Sequence, residues 1–183
     1  GSKNFRPTLY DILAQNALEF FKTSENSITK PTYKFEIDNP ELFATESKFC
    51  DINLQARDST SLQLNALKIY QDLTCFYLQN ENGNALVDVD IDRLNFVKQN
   101  GVFRDKDEAF LNTLKASKAK YSGEAISALY DFEIANLYVQ QGRSYNPKTN
   151  FEVRWKLKET VDICNAVIRD FPKSRAADKC ESL

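Results

Sequence analysis

The sequence predicts an all-α protein of about seven helices folded back on one another as antiparallel hairpins. Three observations predict it. Apolar residues recur at intervals of three and four in four separate segments, the spacing of one helix face. Prolines stand at positions 7, 31, 40, 147 and 172, which leaves 41–146 free of them. The internal glycines Gly83, Gly101, Gly123 and Gly142 fall 18, 22 and 19 residues apart, each between two segments of helical period. Glycine just past a helix end supplies the left-handed cap residue without steric cost, so this spacing predicts stacked helices of about 15 residues.

The elements follow in order. Leu9, Leu13, Ala17 and Phe20 form the buried stripe expected of the first helix. The stretch 23–58 is a long, partly irregular connection, in which Tyr33, Phe35 and Ile37 alternate with charged residues as in an extended segment. Asn39-Pro40 reads as an N-cap and first-turn proline opening a short helix over 41–44. Tyr33, Phe35, Phe43 and Phe49 are expected to pin this connection to the helical body. A second stripe runs Leu62, Ala66, Ile69, Leu73, Phe76. In Val87-Asp88-Val89-Asp90-Ile91-Asp92, the aspartates are expected to load the first turn of a helix reaching Val97. Phe110, Leu114 and Tyr121 give a third stripe, with Ser117 filling the turn between the last two. The segment 125–139 is apolar on more than one side and should be a central helix. Leu157, Val161, Cys164, Ile168 and Phe171 give the fourth stripe.

Composition bounds the function. The chain has 183 residues, with 24 basic against 26 acidic residues, no His and no Met. Without histidine, imidazole-based nucleophilic pairs and most zinc sites are excluded. A net charge of −2 argues against nucleic acid as a partner, and no apolar run approaches the length of a membrane span. Gly1-Ser2 reads as a cleavage scar. Residues 3–183 read as a single helical domain, with 3–58 holding the first helix and its connection and 59–183 the stacked hairpins.

The side chains that could carry chemistry are few. The alternating aspartates mimic the start of a calcium loop, but Arg93 and Gln99 stand where its glycine and bidentate glutamate belong. Glu124, Asp131, Glu133, Glu152 and Glu159 read as solvated helix faces rather than a catalytic pair, and Lys115, Lys118 and Lys120 as a basic helix end. Cys50 and Cys75 read as free buried thiols. Cys164 and Cys180 lie equidistant from Pro172, so a hairpin there would place them face to face, as a candidate disulfide in an oxidising compartment. The polar loop 142–150 is the best recognition surface, with Arg143, Tyr145 and Asn146 as candidate contacts. Trp155 joins them, either as a binding platform or as an aromatic packed at a helix start. No catalytic, cofactor or metal site is read from the sequence.

Two resemblances sharpen this. The turns at 120–125 (KYSGEA) and 170–176 (DFPKSRA) each end a helix on an aromatic residue and restart after a small polar one, and 128–138 is similar to the first helix of a tetratricopeptide repeat. The chain therefore resembles a short, irregular tetratricopeptide-like solenoid over 105–183. The run 6–21 (RPTLYDILAQNALEFF), with 66–73 (ALKIYQDL), 92–97 (DRLNFV) and the closing 171–180, resembles the N-terminal helical region of large bacterial alpha-2-macroglobulin-like proteins. That resemblance implies a non-enzymatic interaction or spacer module of an exported protease-trap family, in the periplasm or at the cell surface, contacting a protein partner or neighbouring domains. The alternative is a stand-alone tetratricopeptide-like adaptor holding a peptide or glycan in a concave groove. No cysteine here sits in the family's Cys-x-Glu-Gln thioester motif.

Overall fold

The computed structural model describes residues 5, 6, 8–23 and 32–183; the expected scar Gly1-Ser2, together with Pro7 and Pro31, lies outside them. The protein is all-helical. Among the described residues eight α-helices follow in order: α1 (Leu9–Phe21), α2 (Glu46–Cys50), α3 (Leu62–Gln79), α4 (Gly83–Asn100), α5 (Lys106–Lys120), α6 (Ala128–Arg143), α7 (Lys156–Asp170) and α8 (Arg175–Glu181). Short 3-10 helices occupy Pro40–Phe43 and Ala125–Ser127. The chain divides into two compact units, Gly1–Ala109 and Phe110–Leu183, with the boundary inside α5.

In the first unit, α3 is the hub. Gln63 reaches Asn100 and Tyr70 reaches Asp92, so residue numbers rise along α3 as they fall along α4, and the pair is antiparallel. α1 packs on α3 in the same sense, with Tyr10 against Phe76 and the Tyr77 hydroxyl donating to Asp11 at one end, and Glu19 close enough to act on Tyr70 at the other. Asp11 also accepts from the Thr8 backbone, while the Thr8 hydroxyl oxygen accepts from the Asp11 N–H, closing a capping box. This double use of Asp11 rotates α1. Its buried residues are Asp11, Ala14 and Leu18, whereas Leu9, Leu13 and Phe20 of the expected stripe are 60–70% exposed.

The hinge between α3 and α4 also differs from expectation. Glu81, not Gly83, takes the left-handed backbone (φ 52°), Asn82 caps α4, and Gly83 is the first residue of that helix. The three aspartates therefore lie mid-helix rather than in its first turn. Asp90 is fully buried, and Asp92 accepts from Lys22 and Tyr70.

The connection into α3 is held by named contacts. Asn39 caps Pro40–Phe43 as expected, accepting from the Glu41 N–H. Ile37, Phe43 and Phe49 are buried, but Tyr33 is exposed and Phe35 only half-buried. Arg93, itself fully buried, donates to the carbonyls of Leu42 (2.6 Å) and Ala44 (2.9 Å) and to Asp90 (2.5 Å), with its guanidinium 4.3 Å from the Phe49 ring centre. Gln71 donates to the carbonyls of Phe49 and Ile52, both at 2.8 Å. Cys50 and Cys75 form a disulfide between α2 and α3, with Cα atoms 5.7 Å apart; the reading of these two as free thiols is corrected. Proximity of their helices, which single-residue patterns do not encode, decides the pairing.

Tyr70 and Tyr77 give the first unit a pH limit. Burial, reinforced by Asp92 and Asp11 respectively, raises both phenols above their ordinary value of 10.0. A group with a raised folded value stabilises the fold fully below its unfolded value and loses that contribution as pH rises beyond it. Thermal melts should thus be flat from neutrality to about pH 9 and lose several degrees by about pH 11, with tyrosinate absorbance rising at the unfolding step. Free titration of both phenols in the folded state would contradict this.

The second unit is built around α6, which buries Leu129, Tyr130, Ile134, Ala135 and Tyr138 on several sides, as its all-round apolar pattern predicts. Phe110, Leu114 and Ser117 of α5 are buried as well. The Ser117 hydroxyl has no hydrogen-bond partner. Gly142 lies inside α6 rather than after it. There it lets α7 approach: a Cβ at this position would stand 2.7 Å from Leu157 Cγ and 3.2 Å from its backbone nitrogen. Gly142→Ala gains up to about 1 kcal/mol of helix propensity but overpacks this contact by about 1–3 kcal/mol, so a net loss near 1 kcal/mol is expected in urea unfolding.

Candidate functional site

The candidate surface belongs to α6, α7 and α8. Gly142 meets Leu157 and the Thr160 hydroxyl donates to the Ala135 carbonyl, so α6 and α7 form an antiparallel hairpin. Between them, the loop holds its own shape. Asn146 and Asn150 pair through their backbones, the Asn146 side chain accepts from the Lys148 N–H at 2.9 Å, and the Asn150 amide donates to Ser144. Asn146 is thus occupied in building the turn.

Around this turn lies a strip of exposed aromatics. The rings of Tyr145 and Phe151 are 6.5 Å apart, and the Arg154 guanidinium lies 5.4 Å from Phe151 and 4.5 Å from Trp155. Trp155 occupies the N-cap position of α7 without a side-chain cap bond and stays 57% exposed, so it is not packed into the helix start. Arg143, the last residue of α6, is exposed. Of the four loop and platform residues read from the sequence, Arg143, Tyr145 and Trp155 present side chains to solvent, while Asn146 serves the turn.

On α6–α8 there is also a groove of about 520 Å³ lined by Val139, Leu157, Val161, Ile168 and Leu183, with Arg143 and Glu181 among its polar residues; Leu157 follows Trp155 by two positions. Leu157 and Val161, read from the sequence as core, are 48% and 56% exposed here. The helical period locates an apolar face but not whether a neighbour covers it, and α8, with seven residues, is half the length of α7.

Cys164 and Cys180 also line the groove, and the hairpin at Pro172 brings them together. They are buried free thiols in contact through a hydrogen bond, not a disulfide, which corrects the sequence-based candidate. Burial and the neighbouring thiol push Cys180 up to about 12, so it stays protonated at neutral pH. A second, more polar cleft of about 560 Å³ contains the Lys118–Asp131 ion pair (2.6 Å) with Asp162 and Asp170. Among the described residues, no group of three or more His, Cys, Asp or Glu side chains is placed to hold a metal ion, and no helix is long and apolar enough to cross a membrane.

In comparison with known proteins, the chain matches no family model, no curated protein and no solved structure.

Proposed function

We propose that this chain is a non-catalytic module that binds polypeptide through the α6–α8 groove and its aromatic strip. One observation carries the reading: Phe151, Trp155, Leu157 and Val161, within eleven consecutive residues, are each 48–57% exposed, and the last two line one apolar groove. Scattered exposed apolar residues are ordinary, but a contiguous set with Trp, Tyr and Arg has the composition of an interface centre. The apolar lining favours a peptide over a glycan. A non-enzymatic role is supported by Cys180, since a protonated thiol is the opposite of an activated nucleophile.

As to setting, the order of residues over 6–21, 66–73, 92–97 and 171–180 supports the N-terminal helical region of an alpha-2-macroglobulin-like envelope protein. The Cys50–Cys75 bond supports an exported location, because such bonds persist in oxidising compartments. In that setting the groove would engage a protein partner or a neighbouring domain. The test is site-specific photo-crosslinking in producing cells, with the reactive residue at position 155 or, as a control, at exposed Lys115. A discrete adduct from position 155, lost in Leu157→Asp, is expected. Identical patterns from both positions would leave only a spacer role.

A further inference from the structure

Resting on that polypeptide-binding reading, we infer that the groove's partner is an acidic segment carrying apolar anchor side chains. The charge around the strip is lopsided. Residues 143–158 hold five cations, Arg143, Lys148, Arg154, Lys156 and Lys158, against one carboxylate, Glu152, in a chain whose net charge is −2. Lys156 is matched by Glu159 at 2.9 Å, but Arg143, Lys148, Arg154 and Lys158 have no ion-pair partner among the described residues.

Two of the unmatched cations, Arg143 and Arg154, are held where a ligand would meet them. Arg154 lies across the Trp155 and Phe151 rings, which fixes its charge on the apolar strip, and Arg143 lines the groove. A guanidinium placed this way offers a planar donor fork to carboxylates while the adjacent rings and aliphatic side chains take up apolar groups. Glu181, also in the groove lining, is the one acidic side chain there and would favour a single basic residue at that end of the ligand. Exposed aromatics with cations also suit an anionic membrane surface, but Leu157, Val161 and Ile168 line a concavity rather than a convex face, and a concavity accepts single inserted side chains.

Trp155 is the only tryptophan, so its emission reports on this surface without labelling. The intact chain would be titrated with three helical peptides of about 18 residues sharing one Leu/Phe face, with Glu, Gln or Lys on the other, and separately with vesicles containing anionic lipid. The Glu peptide is expected to blue-shift Trp155 saturably and to bind at least about tenfold more tightly than the Lys peptide. That preference should shrink at high salt and in Arg143→Glu/Lys158→Glu, both surface positions whose exchange leaves the core intact. Equal binding of all three peptides would overturn the acidic partner and keep the polypeptide reading. A shift with vesicles alone, or with nothing, would overturn both.

Discussion

Arg93→Met should cost about 3–5 kcal/mol of folding stability, the largest effect of any single side chain in the first unit. The variant keeps the length of the side chain but takes the guanidinium from Asp90, whose carboxylate is fully buried, and removes the donors to the Leu42 and Ala44 carbonyls. Removing the counter-ion of a buried charge costs far more than the pair is worth, because the guanidinium's share in offsetting the desolvation of Asp90 is lost. Asp90→Leu in the Arg93→Met background should therefore recover part of the loss, while the two carbonyls stay unsatisfied. Urea unfolding followed by circular dichroism measures both. A loss under about 1 kcal/mol for Arg93→Met would show that the guanidinium is not the clamp of the 3-10 segment.

Breaking the disulfide is the second large effect. A cross-link spanning 25 residues removes about 3.5 kcal/mol of chain entropy from the unfolded state on the loop-closure model. Cys50→Ala/Cys75→Ala should accordingly lower stability by about 2–4 kcal/mol, and dithiothreitol should do the same to the parent protein. Because Cys164 and Cys180 are thiols, the reductant should have no further effect on the double variant. A second drop on reducing that variant would mean that the α7–α8 pair is bonded in solution, and a null effect on the parent would remove the α2–α3 bond.

The fold class was readable because its signals are local. Asn39 ahead of Pro40, the all-round apolar run of α6 and the Phe110–Leu114–Ser117 face each depend on residues within a turn or two. What escaped depends on partners distant in the chain. Nothing near Asp11 signals that Tyr77, 66 positions away, donates to it and turns the helix over. Nothing near Arg93 marks it as buried, because its carbonyl acceptors lie 49 and 51 residues upstream. Gly142 looked like punctuation because nothing in its neighbourhood signals that Leu157 needs the space.

The candidate site was half legible. Arg143, Tyr145 and Trp155 were found because loop residues face solvent by default. Leu157 and Val161 were missed because a helical apolar stripe is ordinarily covered, and here the short α8 leaves them open.

The outward stripe of α1 has a practical consequence. With Leu9, Ile12, Leu13 and Phe20 all more than half exposed, the native molecule already displays a ladder for amphiphilic dyes. Anilinonaphthalene fluorescence, commonly taken to diagnose a loosened acid state, will light up on the intact protein. For this chain, loosening is better judged by near-ultraviolet dichroism of the buried tyrosines, which vanishes only when their packing is lost.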